Sequence, residues 1–374
     1  MNLINATKMA AGYTMGTQPD GRELLVVVVK GTFTIPRSGE EPRLAEKQVP
    51  LVMTDVFTGE PGFSAPLYEI DYAPRKPRCD VLLNGSAHAP GGKPAERVTV
   101  SLRVGSLRKS FDVVGNRVWT SGLLGFSPSK PEPFTAMPIS YNNAFGGVDK
   151  TRDDEKQHHW YPTNHAGTGY YYHPSAKAVE GKPVCNTEET GKHVTRPDGD
   201  YRPMAFGPIG RAWKQRIALA GTYDQKWLDQ KFPFLPDDFQ DAYYQTAPAD
   251  QQIDFPRGGE EIELVNLTRG GRTGFKLPTV GVPFEFYYRN GDPKKAEGVI
   301  DTLVVEPDSG RFMLSWRTCL PLRRNLHEIR TMVAGSLGDD LRAEQGLEDG
   351  PPRKRRYKSL AELVAAYRAG GDRG

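Results

Sequence analysis

Long apolar runs are missing from this chain. The longest aliphatic stretch covers residues 24–29, far short of the roughly 20 residues that carry a helix across a bilayer. The opening MNLINATKMAAGYTMGT has no apolar centre of a secretory signal, so the three Asn-x-Ser/Thr sequons at Asn5, Asn84 and Asn266 carry no weight. Cysteine is scarce and odd in number, with Cys79, Cys185 and Cys319 far apart and no CxxC among them. That excludes a disulfide framework and a zinc knuckle and predicts a cytoplasmic protein in a reducing compartment. No excess of one charge sign exists either: 49 basic and 46 acidic residues nearly cancel, leaving a net +3. Nucleic-acid binders concentrate basic charge on one face, so neither nucleic acid nor a membrane is an expected partner.

Motifs of common enzymes are also absent. There is no GxSxG elbow. None of Gly146-Gly147, Gly167-Thr-Gly169 or Gly258-Gly259 continues into a P-loop or a GxGxxG helix start. These glycines read as turns. His158, His159, His165, His173 and Cys185 share one window, yet their spacing matches no zinc pattern; they read as exposed loop histidines, and neither a metal nor a cofactor is expected. Asp237, Asp238, Asp241, Asp250 and Asp254 form an acidic series. Pro236-Asp237-Asp238-Phe239 reads as a capped helix start, and Arg353-Lys-Arg-Arg356 as a solvated linker. No catalytic residue is assigned.

What is abundant is glycine (40) and proline (31), together almost a fifth of 374 residues. Such punctuation favours short strands and tight turns over long helices. Residues 24–35 predict a buried strand, with a bulge or turn at Lys30-Gly31. Val98, Val100, Leu102 and Val104 alternate with polar residues at the period of a half-buried strand, and Gly105-Ser106 turns it into 109–114. Residues 300–306 and 311–317 flank Pro307-Asp-Ser-Gly310 as a second hairpin. Thr222-Tyr-Asp-Gln225 has capping-box spacing before a short helix with Tyr223 and Trp227 on one face. Ser359-Leu-Ala-Glu362 opens a C-terminal amphipathic helix. The expected fold is mainly β: antiparallel sheets packed as a sandwich or open barrel, with a few short helices. The expected divisions are a β-rich part over 1–148, a polar irregular insertion over 149–204, a second part over 205–335, a linker over 336–358 and the helix over 359–374.

The densest aromatic stretch is 206–260. It holds two of the five tryptophans and eight other aromatics, with no Cys, His or Ser. Dense aromatics without a nucleophile or a common base read as a recognition surface rather than a catalytic centre.

Four ordered blocks add a family resemblance. They are Asp80-Val-Leu-Leu-Asn-Gly-Ser-Ala-His-Ala-Pro90 with Lys109, Gly115, Arg117 and Trp119; Pro133-Phe-Thr-Ala-Met-Pro-Ile-Ser-Tyr141-Asn-Asn-Ala-Phe145-Gly-Gly147; Ala220-Gly-Thr-Tyr-Asp224 with Trp227 and Pro233-Phe-Leu-Pro-Asp-Asp-Phe239; and Ala247-Pro-Ala-Asp-Gln-Gln252 with Arg257-Gly-Gly-Glu260. In this order they resemble a bacterial family, first catalogued as a domain of unknown function, of type VI secretion effector adaptors or chaperones. The chain departs from the family's Asn-Pro-x-Gly-x-Gly element, having Asn164-His-Ala-Gly167-Thr-Gly169 there. The resemblance implies a cytoplasmic, non-catalytic adaptor in a Gram-negative bacterium. Its partners would be a cognate effector with a PAAR-like domain and the trimeric spike beneath it. The expected partner-binding residues are Tyr141, Phe145, Tyr223, Trp227, Phe239, Tyr243 and Tyr244, with Arg257 and Glu260 at the rim. The alternative is a hydrolase or lyase using Asp and His residues of the insertion and the acidic series.

Overall fold

The structure is a computed structural model that describes residues 1–37, 39–123, 125–323 and 325–347. The expected C-terminal helix, and the expected linker from 348 onward, lie outside the described residues. The chain is mainly β, with 38% strand and 12% helix. Three sheets dominate. A six-stranded sheet runs in the order Gln252–Ile253, Cys79–Leu83, Val299–Glu306, Arg311–Pro321, Glu23–Thr34 and Ala10–Thr17. A five-stranded sheet runs Thr187–Glu188, Leu107–Val114, Arg97–Val104, Glu261–Val265 and Arg272–Lys276. A four-stranded sheet runs Asn2–Asn5, Ile329–Ala334, Pro283–Tyr288 and Lys294–Glu297. Within these three sheets pairing is antiparallel except where Cys79–Leu83 meets Val299–Glu306 and Asn2–Asn5 meets Ile329–Ala334, which are parallel. Among the described residues no sheet closes into a barrel.

The strand Glu23–Thr34 explains its own unbroken apolar run. Leu25, Val27 and Val29 point into the main core, which also takes Val100 and Leu102 from the five-stranded sheet and Phe284 and Phe286 from the four-stranded one. Leu24, Val26 and Val28 point the other way, under Leu51 and Tyr72. A strand buried on both faces needs apolar residues at every position rather than at alternate ones.

The bulge expected at Lys30-Gly31 does not form. The strand pairs in continuous register, Lys30 opposite both Ala10 and Ser315. Gly31 serves close packing instead, since a Cβ there would come within 2.4 Å of Met9 Sδ. The irregularity falls in the next strand, where register shifts between Ile300 and Thr302 and leaves Asp301 free to pair with buried Arg317. Both expected hairpins form.

The 149–204 segment is irregular, as its polarity suggests, but not loose. With Trp119 and Phe145 it builds a second core from Tyr161, Val179, Val184, Cys185 and Val194. Strand neighbours also cross the expected divisions: Glu23–Thr34 lies between Ala10–Thr17 and Arg311–Pro321. Among the described residues no helix is long and apolar enough to cross a membrane.

Candidate functional site

Most residues of the four sequence blocks hold the fold together. Asp80 is fully buried and accepts from Lys76 Nζ at 2.7 Å, Gln245 Nε2 at 2.6 Å, and Thr246 N and Ala247 N at 2.8 and 3.1 Å. That one carboxylate fastens the first block to the fourth. Gln251 ties Val81 O, Phe206 O and Lys109 Nζ together. Arg117 spans Glu188 and Cys185 O. Gly115 packs so tightly that a Cβ would fall 1.8 Å from Glu132 O.

Two of the expected binding residues belong to this framework. Tyr141 and Phe145 are 3% and 0% exposed. Tyr141 sits edge-on to Trp213 in the main core, and Phe145 is ringed by Tyr161, Tyr170 and Tyr201 in the second core. Neither ring contributes to an exposed surface, because large aromatics are the side chains whose burial releases most free energy. Glu260 closes a turn, accepting from Arg257 N at 2.8 Å and Gly258 N at 2.9 Å.

The remaining aromatics lie on an arm spanning residues 217–239 or, for Tyr243 and Tyr244, at its base. Its base is pinned by Arg216, buried and bonded to Glu69, Ile209 O and Tyr243 O, with the guanidinium over the Tyr243 ring. The arm closes where Asp238 accepts from Thr222 N at 2.9 Å and Thr222 Oγ1 at 2.7 Å. Gly221 makes this approach possible: its φ is +82°, and a Cβ would stand 2.9 Å from Asp238 Oδ1. Inside the arm lies the helix Gln225–Gln230, capped by Asp224, whose side chain accepts from Trp227 N at 2.8 Å. The cap is therefore Asp224 rather than Thr222, and Tyr223 lies just outside the helix, packed edge-on against Trp227. Pro236-Asp237-Asp238-Phe239 opens no helix. Its carboxylates close the arm and pair with Lys231 at 2.6 Å, and the nearest helical turn is the 3-10 segment Asp241–Tyr244.

Trp227 acts as the arm's internal spacer, half-buried, its Nε1 donating to Phe234 O at 2.9 Å. Phe239, Tyr243 and Tyr244 form a half-buried cluster at the base. Around them the arm turns apolar groups outward: Ile217 (55% exposed), Tyr223 (53%), Leu228 (51%), Phe232 (63%) and Phe234 (43%). Single exposed apolar residues are ordinary, but five on one 18-residue stretch of surface are not. Sequence reading found Tyr223 and missed Ile217, Leu228, Phe232 and Phe234. Their aromatic and aliphatic density was visible; which side of the arm faces solvent was not.

The candidate chemistry of the alternative is scattered. Asp237 and Asp238 bond Lys231 and Thr222, with no histidine among their partners. Asp250 pairs with Lys109 and Arg202, Asp241 with Arg75 and Asp254 with Arg78. His159 stacks on Tyr172 and meets His173 edge-on; His165 packs on Trp160; His158 bonds Arg152 O. Among the described residues no three His, Cys, Asp or Glu side chains are grouped so as to hold a metal ion. Burial pushes the Cys185 and Cys319 thiols up to about 12 and 11, and Cys79 well above its ordinary value, so all three stay protonated near neutral pH.

A family model described as "Uncharacterized protein conserved in bacteria (DUF2169)" matches residues 20–317. No curated protein and no solved structure matches the chain.

Proposed function

From the premise that this chain belongs to DUF2169, a family of uncharacterized proteins conserved in bacteria, we propose that it is a non-catalytic adaptor that holds a partner protein through the 217–239 arm. The sequence blocks' resemblance to type VI effector adaptors narrows the partner to a cognate effector with a PAAR-like domain, held in the cytoplasm until it is loaded on the trimeric spike.

The observation that carries this reading is the run of exposed apolar side chains along the arm. Ile217, Tyr223, Leu228, Phe232 and Phe234 stand exposed on a scaffold fixed by Arg216, Gly221 and Asp238. A preorganised apolar patch loses little conformational entropy on binding and gains the burial of its side chains, which is how interface hot spots work. Cys79 and Cys185 are buried and Cys319 partly so, and thiols held protonated in this way are poor nucleophiles.

The test is co-expression with the effector encoded beside this protein. The adaptor should raise the effector's soluble yield and co-purify with it, and Phe232→Ser should abolish both while the adaptor stays folded. Equal effector yield with and without the adaptor, and no co-purification, would sink the proposal.

A further inference from the structure

A cleft of about 640 Å3 lies where the 149–204 segment meets the five-stranded sheet, lined by none of the exposed apolar residues of the arm. Two side chains at its base are almost wholly buried, Lys109 at 5% and Tyr141 at 3% exposed. The Lys109 ammonium donates to Gln251 Oε1 at 2.6 Å and to Asp250 Oδ1 at 3.4 Å, two acceptors for three N–H groups. The Tyr141 ring is packed on Trp213, but its hydroxyl has no hydrogen-bond partner among the described residues. Burial, and then the Asp250 carboxylate, push that phenol up, so it is a standing O–H donor. Asp250 is shared, meeting Lys109 at 3.3 Å and Arg202 at 2.7 Å.

Two cations thus divide one carboxylate at the base of the cleft. Its other acidic groups are committed elsewhere: Glu188 to Arg117 and Arg97, and Glu189 to Lys192 at 2.8 Å. Asp200 is the exception. It accepts from the Tyr161 hydroxyl at 3.0 Å and has no cationic partner among the described residues. The cleft is therefore polarised, with spare donors at the base and a spare acceptor on the wall. Burial pulls Lys109 down to about 8, against the pull of Asp250, which is the state of a cation with too little counter-charge.

We propose that this cleft binds the carboxylate of an amino acid or of a peptide C-terminus. The carboxylate accepts from the Tyr141 hydroxyl and the third Lys109 N–H and faces Arg202, and the neighbouring N–H of the same ligand is turned to Asp200. A cleft of this volume is within the range of small-ligand sites, and Tyr201 and Pro248 offer apolar wall for a side chain.

Titration of the 15N-labelled protein, followed by NMR, tests the assignment with four probes: phenylalanine, phenylalaninamide, acetyl-Ala-Ala-Phe and its C-terminal amide. Saturable shifts of cleft residues are expected with the acids, and about tenfold weaker binding with the amides, the worth of one charge-assisted hydrogen bond. Tyr141→Phe should also weaken the acids about tenfold without changing the melting temperature, because the lost hydroxyl supports nothing in the fold. A tighter free amino acid identifies a small-molecule site, and a tighter tripeptide a peptide-terminus site. Amides that bind as well as acids, Tyr141→Phe binding unchanged, or no saturable shift with any probe would overturn the proposal. Arm variants such as Phe232→Ser should leave these titrations unaltered, so failure here and failure of partner capture are separate results.

Discussion

Asp80 and Glu188 illustrate what single buried carboxylates do in this protein. Asp80 faces the Lys76 ammonium, itself buried, at 2.7 Å. Asp80→Ala leaves that cation without its carboxylate and strips the Gln245 side-chain amide and the Thr246 and Ala247 backbone N–H groups of their acceptor. Removing one member of such a pair costs about 3–5 kcal/mol, so urea denaturation should show an unfolding free energy lower by that amount. Glu188 is held by two arginines. Burial pushes its carboxyl up, but Arg117 and Arg97 overcome this and hold it below its ordinary 4.5. A depressed carboxylate binds its proton more readily in the unfolded chain, so its stabilising effect is full above about pH 4.5 and fades as pH falls through the folded value. Glu188→Gln should therefore flatten the acid limb of a stability-versus-pH curve while lowering stability at neutral pH. An acid limb unchanged in the variant would count against the Arg117–Glu188 pair as its source.

At the scale of the element, the arm separates two roles that its sequence mixes. Side chains that fix its shape bond within the arm: Asp238 to Thr222, Asp224 to the first turn of the helix, Trp227 to Phe234 O. Those that could meet a partner face outward. Leu228→Ser with Phe232→Ser removes no hydrogen bond of the frame and one ring contact, Phe232 edge-on to Trp227, so the loss of stability should stay within about 0.5–1.5 kcal/mol, the worth of an aromatic pair. Capture of the proposed effector partner should fall by at least about tenfold, the loss expected when hot-spot side chains are removed. Asp224→Ala does the reverse, costing about 1 kcal/mol through the lost cap. Calorimetry beside pull-down distinguishes the two classes, and parallel loss of both properties in the double serine variant would return the arm to the core.

Over the whole molecule, the early and late parts of the chain are not independent. Glu23–Thr34 has Arg311–Pro321 on one side, and Cys79–Leu83 has Val299–Glu306. A fragment of residues 1–148 would expose the edges of both strands and lose one wall of the main core, so it should be insoluble or unstructured by circular dichroism. The intact chain should unfold in one calorimetric transition, since strands interleaved in one sheet cannot melt separately. A folded, soluble 1–148 fragment would contradict this.

The sequence by itself determined the class of the fold, because strand signals are local. Alternation at Val98–Val104, the Gly105 turn and the Pro307–Gly310 turn each carry their own instruction within a few residues. It also marked the aromatic stretch that contains the arm. Tertiary structure alone decided which of those aromatics are surface. Tyr141 and Phe145 look no different in sequence from Tyr223, yet the first two are enclosed by residues tens of positions away. The misplaced bulge has the same origin: Gly31 answers to Met9 and Trp316 across the sheet, not to its chain neighbours. The cleft of Lys109, Tyr141 and Asp250 was equally illegible, since it joins three separate blocks whose only link is the fold that buries them. Burial is a property of long-range packing, and no local pattern of residues encodes which neighbours will arrive.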